Sequence, residues 1–490
     1  MLRRTTHARG VLAFILGHAL SCCLASAAPP GFDGLFPAGG QVGSRVETKV
    51  NGKGLDKETF LVWSSDSHVV ALGGDQPKKF FLIIAKDAVP GPCLVRLYNE
   101  NDASPPRIIE VGKFEEKGEQ EPNDTVADAR KAEPLMNVTI NGVLEKTGDV
   151  DTHAIRVQKG KRITLDLHGY ALGSSMDPAL RLLNERGIEV AAGHDTHNLD
   201  PRIEYTPTAD GVMYAQLFAF VHPPAADVSF KGTVNHVYRL TVTNESNQAP
   251  IGSEPEKLTL PAKINGSISK AAEEDKYAFT AKKGDDLQIR VRAQSMHSAL
   301  DATLRIEDSA GKSLQQADDG EKDSLDPTLR WKAPKDGDYK LIIADRFQHG
   351  SAEHRYELTV QPFTASLTAT LDTHAYRLEA GKTVEVKITM KTSGTFGGKI
   401  QARAAQLPAG VTAENVDVPA KGGEVKLTLK AAADVAANQA PFAIEIVTSA
   451  PDAVQTVLAS YAIPFTEPRG DLLIMSDTHP WLTVVTAKKP

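Results

Sequence analysis

One internal repetition constrains this chain more than its composition does. Asn141-Gly142 recurs as Asn265-Gly266, and Asp151-Thr152-His153-Ala154-Ile155 as Asp275-Lys276-Tyr277-Ala278-Phe279. Lys159-Gly160 recurs as Lys283-Gly284, Asp177-Pro178-Ala179-Leu180 as Asp301-Ala302-Thr303-Leu304, and Gly187 as Gly311, all at a shift of 124. After a two-residue indel, Asp200-Pro201, Tyr205 and Asp210-Gly211 answer to Asp326-Pro327, Trp331 and Asp336-Gly337. Tyr238-Arg239-Leu240-Thr241-Val242 then answers to Tyr356-Glu357-Leu358-Thr359-Val360. A period this long is far above that of stacked solenoid repeats. Residues 114–250 and 251–363 therefore read as two copies of one domain, arranged as beads on a string.

Within each copy the hydrophobic period is two. Ile163, Leu165 and Leu167 alternate with Thr164, Asp166 and His168, and Leu287, Ile289 and Val291 with Gln288, Arg290 and Arg292. Such alternation describes half-buried antiparallel strands. Lys159-Gly160, Arg186-Gly187, Asp210-Gly211, Ala310-Gly311 and Asp336-Gly337 mark turns between them. Seven or eight short strands in about 110 residues predict a β-sandwich. The flanks 31–113 and 364–466 show the same pattern and read as smaller sandwiches. Residues 467–490 hold two apolar patches, Leu472–Met475 and Trp481–Val485, and read as a tail or closing hairpin. The expected fold class is all-β, a tandem array of sandwiches, with Thr125–Lys131 as a short helix.

The first 27 residues differ. Arg3, Arg4 and Arg9 precede an apolar run from Val11 to Leu20, and Ala25-Ser26-Ala27 follows. This is the pattern of a secretory signal peptide over 1–27. Cleavage after Ala27 would remove Cys22 and Cys23 and leave Cys93 alone, so no internal disulfide could form. It would also lower the formal net charge from −7 to about −10, which argues against nucleic acid and favours cations. The sequence predicts no transmembrane segment in the mature chain, and an exported location: periplasmic, extracellular or at the cell surface.

The repeated unit resembles the bacterial pre-peptidase C-terminal domain. Glu121-Pro122-Asn123-Asp124, Asn141-Gly142, Asp149-Val150-Asp151, Lys159-Gly160, Asp177-Pro178-Ala179-Leu180, Asp210-Gly211 and Tyr238–Val242 carry the resemblance in order. The second copy keeps the body but has Glu256-Lys257 in place of Asn-Asp. The resemblance implies two tandem jelly-roll-like sandwiches without catalytic residues. Phe36–Gly43, Val46–Val50 and Gly54-Leu55 look like an immunoglobulin-like TIG-type domain, and 364–466 looks like an immunoglobulin-like accessory domain.

The acidic cluster at the start of the first copy is the main candidate site. In an extended segment Glu119, Glu121 and Asn123 share one face; Asp124 follows at the turn, and Asp149 and Asp151 precede the next strand. Calcium takes six to eight oxygens, and these six residues would supply them if the linker folds beside that loop. The collagen-binding modules of bacterial collagenases, relatives of this fold, hold calcium at a similar acidic linker. A plainer reading stays open: Asn123 or Asp124 caps the short helix, and the glutamates are a solvated linker. Lys257 stands where Asp124 stands in the first copy, so no comparable site is expected in the second, despite Glu273, Glu274 and Asp275.

Other motifs are weaker. His194 and His197 spell His-x-x-His, a transition-metal pattern that a polar loop also explains. Trp63, Trp331 and Trp481 read as core residues rather than sugar platforms, Cys93 as a buried small hydrophobe, and Arg469-Gly470-Asp471 as a chance tripeptide. No Gly-x-Ser-x-Gly or His-Glu-x-x-His occurs. The expected function is a non-catalytic binding or scaffolding protein for extracellular polysaccharide, a matrix protein or a co-secreted enzyme. The alternatives are a secreted hydrolase with an unrecognised site, and an accessory or inhibitory partner of a secreted peptidase.

Overall fold

The computed structural model describes residues 29–490 apart from 56–60, 74–75, 77, 101, 197–198, 221–228, 246–256, 297, 321–323, 352, 397, 450–454, 465–471 and 487–490. The signal-peptide segment with Cys22 and Cys23, His197, Glu256 and Arg469-Gly470-Asp471 lie outside the described residues. The rest is nearly all β, organised as four sandwiches, in line with the alternation of the sequence.

The first sandwich sets Gly34–Phe36, Arg45–Asn51, Lys79–Ile84 and Val69–Gly73 against Gly39–Gln41, Arg107–Gly112, Gly91–Tyr98 and Leu61–Ser64. The second has Arg202–Tyr205, Ile163–His168, Val237–Thr243, Val138–Val143 and Glu115–Gly118 in one sheet. Its other sheet is Asp151–Val157, Gly211–Phe220, Asp177–Leu183 and Glu189–His194. In the third, Thr328–Lys332, Asp286–Arg292, Arg355–Pro362 and Ala262–Ser267 follow the order of the first four strands of the second's first sheet, and among the described residues no fifth strand joins them. Glu274–Ala281, Gly337–Asp345, Ala302–Asp308 and Ser313–Ala317 follow the order of its other sheet. In the fourth, the strand Trp481–Val485 from the 467–490 segment lies between Ala375–Glu379 and Asn438–Pro441.

Local details also correspond between the two middle units. Asp200 accepts three backbone N–H bonds, from Gly169 (3.1 Å), Tyr170 (2.8 Å) and Ala171 (2.7 Å). Asp326 accepts the same three, from Ala293 (2.8 Å), Gln294 (2.9 Å) and Ser295 (3.3 Å). Gly142 and Gly266 sit directly under the rings of Tyr238 and Tyr356.

The sandwiches differ in how many faces they bury. Glu274–Ala281 alternates buried and exposed, as one covered face requires. Val138–Val143 is buried throughout, and Asp151–Val157 almost throughout. The helical turn Val126–Ala129 covers the outside of one sheet, with Ala129 against Ala154, Leu183 and Tyr214. The first sandwich and its linker cover the other. There Arg239 donates to Glu116 Oε1 (2.7 Å) and Oε2 (3.0 Å) and to Asn141 Oδ1 (2.9 Å), and lies 3.5 Å from Glu110. Glu110 pairs with His168 Nδ1 at 3.0 Å. Burial opposes charge on both, but the pairing outweighs it: His168 rises to about 10, and Glu110 falls to about 2 with Arg239 assisting.

The cores of the first and fourth sandwiches are continuous, and Leu172, Val143 and Val237 of the second join them. The second and third keep separate cores. Arg162 ties these two together, pairing with Glu204 in its own sandwich and with Glu353 of the third at 2.5 Å.

Alanine at Gly142 or Gly266 should be destabilising, because its methyl group must displace a fully buried tyrosine ring. Urea unfolding should show a loss of roughly 1–3 kcal/mol for each. Gly73→Ala, which meets nothing within 4 Å, should stay within about 0.5 kcal/mol.

Candidate functional site

The linker between the first and second sandwiches builds the site by running as a strand. Glu115–Gly118 pairs in parallel with Val138–Val143, and the Glu119 amide donates to Asn141 O at 2.9 Å. This turns the Glu119 carboxylate inward. Its Oε1 accepts from Val143 N (2.7 Å) and its Oε2 from the Tyr238 hydroxyl (3.0 Å). His153 Nε2 lies 2.9 Å from the same hydroxyl. Since that hydroxyl donates to Glu119, it accepts from His153, which places a ring proton on Nε2. Burial favours the neutral ring, lowering His153 to about 4. Gly142 leaves room for both the Tyr238 ring and the Glu119 carboxylate.

Glu119, Glu121 and Asp151 each place a carboxylate oxygen within 4.8 Å of the others. Asp151 is 0 % exposed, and neither of its oxygens makes a well-formed hydrogen bond, although the Tyr238 hydroxyl and the Glu119 carboxylate lie close beside it. Asp149 Oδ2 accepts from Glu145 N (2.5 Å). Its Oδ1 has no hydrogen-bond partner and faces only the exposed Lys146 ammonium, at 3.7 Å. Asn123 is 4 % exposed with both side-chain polar atoms unpartnered, while its carbonyl accepts from Thr152 N (2.9 Å) and pins the linker to the next strand. Asp124 is exposed at the rim.

Such a set is unstable by itself. Buried polar atoms without partners are costly, and adjacent carboxylates resist joint ionisation. Burial, then the Glu119 charge, pushes the Asp151 carboxyl far up; burial also raises Glu119, and burial with the charges of Asp149 and Asp124 raises Glu121. A hard cation would relieve the carboxylate repulsion and satisfy the orphaned oxygens, though not the Asn123 amide nitrogen. Glu119, Glu121 and Asp151 would hold it, with Asn123, Asp124 and Asp149 as the further oxygen donors of the same linker and loop, and oxygen-only donors match calcium.

The helix cap is a different residue from either expected one. Thr125 Oγ1 accepts from Asp128 N (3.2 Å), and its hydroxyl donates to Asp128 Oδ2 (2.6 Å). Asn123 and Asp124 do not cap Val126–Ala129, so the local reading offered for them fails. A threonine followed three residues later by an acid is itself a capping signal, and it stood in the sequence.

In the third sandwich the corresponding corner is closed by tyrosines. Tyr356 donates to Asp275, and the Tyr277 and Tyr356 hydroxyls lie 2.5 Å apart. Lys257 pairs with Asp338 at 3.6 Å. Among the described residues, no ligating cluster forms there.

Two supporting groups went unread in the sequence. His153 stands where the other unit has Tyr277, and Arg239 where it has Glu357; differences between otherwise matching positions were the available signal. His194 gathers Asp177 (3.3 Å) and Asp195 (3.3 Å), but its side chain is 43 % exposed. Trp331 packs in the third core against Phe279 and Tyr339, and Cys93 is buried, its thiol pushed up to about 12. Trp481 is buried at the seam of the first and fourth sandwiches, against Trp63 and Tyr98.

Residues 273–344 match the family described as bacterial pre-peptidase C-terminal domain. This domain is found in exported proteins, and no helix of the described residues is long and apolar enough to cross a membrane. No curated protein matches the chain. Among solved structures, it is similar to the pre-peptidase C-terminal domain of a Bacillus anthracis collagenase: 20 % identity over 24 % of this chain and 100 % of that one, TM-score 0.18. A Salmonella alpha-2-macroglobulin is 14 % identical over 88 % of this chain and 30 % of its own, TM-score 0.15. A DUF4785 family protein from Legionella pneumophila is 12 % identical over 41 % and 65 %, TM-score 0.13.

The raised Asp151 carboxyl sets a pH dependence. A folded state that holds its proton above the unfolded value near 3.8 loses stability as pH rises. In chelator, urea unfolding of the second sandwich should therefore lose roughly 1–3 kcal/mol between pH 5 and pH 8. Asp151→Asn, which cannot ionise, should flatten that slope.

Proposed function

We propose that this is an exported, non-catalytic binding or scaffolding protein whose second sandwich is held together by calcium. In this reading 114–250 and 251–363 are tandem copies of the pre-peptidase C-terminal domain, flanked by immunoglobulin-like sandwiches. The family match over 273–344 supports the third sandwich directly; the corresponding strand order, the Asp200 and Asp326 turns and the Gly–Tyr pairs support the second. The observation that carries the calcium assignment is the pair of buried Asp151 oxygens, without a well-formed hydrogen bond, facing Glu119 and Glu121.

The binding role draws on where the buried charged groups are used. Arg239, Glu110 and His168 fix one sandwich against the next, and Glu119 and Asp151 face a cation site. The ligand would be extracellular polysaccharide, a matrix protein or a co-secreted enzyme, acting in the periplasm, outside the cell or at its surface. A hydrolase reading would draw on Ser351, whose Oγ lies 2.8 Å from His354 Nδ1. The two sit in one turn, with His354 N donating to Ser351 O (3.1 Å), an arrangement serine adopts for local reasons.

Thermal melts with calcium and with chelator test the cation. At a calcium concentration about 100-fold above Kd the gain is about 2.7 kcal/mol, so the midpoint should rise by roughly 5–10 °C. Combined Asp149→Ala and Asp151→Ala should abolish the rise; an unmoved midpoint in the parent rejects the site. Pull-downs on insoluble polysaccharides and collagen-like proteins should retain the chain. Turnover of peptides or glycosides that Ser351→Ala removes would reject the non-catalytic reading.

A further inference from the structure

The first and fourth sandwiches meet across a side chain that is difficult to bury. Arg96, on the first sandwich's strand Gly91–Tyr98, is 0 % exposed. Its Nη2 donates to the Tyr461 hydroxyl (2.7 Å); its Nη1 donates to His374 O (3.3 Å) and lies 3.2 Å from His374 Nδ1. The guanidinium also lies over the rings of Trp481 (5.7 Å) and Tyr461 (5.9 Å). All these partners belong to the fourth sandwich or its closing segment.

A guanidinium has donors and no acceptor. The short contact with Nδ1 therefore requires a lone pair there, with the ring proton on Nε2 and His374 neutral. The carboxylate that balances Arg96 stands one group away: Tyr461 donates to Asp477 Oδ2 at 2.8 Å. We propose that this contact is an acid-released clasp, in which protonation of His374 removes the acceptor for Arg96 and sets two cations side by side inside the seam.

The groups facing the seam decide the direction. Burial, then the Arg96 charge, lowers His374 to about 4. A histidine depressed in the closed state binds its proton more readily when open, so closure is complete above the ordinary value near 6.5 and weakens as pH falls toward 4. His479 acts oppositely: it lies 3.1 Å from Asp477 Oδ1, which raises it, so its contribution is present in acid and fades as pH rises. It meets Asp477 rather than Arg96. Asp477 itself is held below the usual carboxylate range, against burial, by His479 and Tyr461. Asp102 accepts from Thr483 Oγ1 (3.0 Å), and Asp372 from the Tyr376 hydroxyl (3.1 Å). Opening would uncover Trp481, Tyr98 and Arg96.

The seam carries two of the three tryptophans, so in a Trp331→Phe background fluorescence reports Trp63 and Trp481 alone. Between pH 7.5 and pH 4.5, with calcium present, emission should shift to the red and the radius of gyration should increase, while far-UV circular dichroism keeps its β signature. His374→Asn, whose amide oxygen takes the place of Nδ1 but does not titrate, should stay closed at pH 4.5. A background protein that keeps its emission and radius to pH 4.5, or a His374→Asn variant that opens at the same pH, overturns the proposal. If His374→Asn does not close at pH 7.5, Arg96→Met decides: without the guanidinium the acid step should move down by a pH unit or more, and an unmoved step overturns it.

Discussion

A strand buried on both faces cannot place a charge on its second face without finding it a partner. That constraint organises this molecule. Arg96 and Arg239 occupy outward positions of strands that another sandwich or linker covers, and both are buried. Each is met by groups from across a seam: Arg96 by His374 and Tyr461, Arg239 by Glu116 and Glu110. Removing one partner from such a set leaves a desolvated charge, which is strongly destabilising. The seams are thus specific in a way that apolar contact alone would not be. Lys387–Glu424 and Lys426–Glu385, between exposed side chains, contribute little by comparison.

The same constraint separates the two middle sandwiches. Their strand orders correspond, and so do the Asp200 and Asp326 turns. Yet Glu274–Ala281 of the third keeps one face in solvent, while Val138–Val143 of the second is covered on both. The second has the linker strand Glu115–Gly118 beside Val138–Val143; among the described residues, no strand takes that place beside Ala262–Ser267 in the third. In the second, Glu119 lies against Asp151, and at the corresponding corner of the third Tyr356 donates to Asp275. The second unit's corner is thus acidic with orphaned oxygens, and the third's is closed by hydrogen-bonded tyrosines.

The sequence carried much of this and withheld the rest for physical reasons. Period-two alternation in Leu287–Val291 reads directly as a half-buried strand, and Asp286–Arg292 is one. The acidic cluster was legible because alternate residues of an extended linker share a face, and Glu119, Glu121 and Asp151 do converge. Glu121 and Asp124 both lie on the exposed side of the cluster. Burial of the second face was not legible, since Val138–Val143 contains Thr139 and Asn141 and looks half-polar. Its cover comes from residues distant in sequence. Trp481 was expected in a core without any sign of which one, because its neighbours Trp63 and Tyr98 are separated from it by almost the whole chain. Local spacing encodes faces; it does not encode which domain another domain will lean on.

This also bears on how such an array moves. The second and third sandwiches have separate cores and share the half-exposed Arg162; a contact of that kind can loosen by degrees, because water replaces it readily. The first and fourth share a continuous core around a buried cation. There, partial separation would strand Arg96 between partners and water, satisfied by neither. The intermediate geometries are therefore the unfavourable ones, and the seam is either made or fully hydrated. Two-state behaviour at one joint and graded flexibility at another follow from the same rule about burying charge.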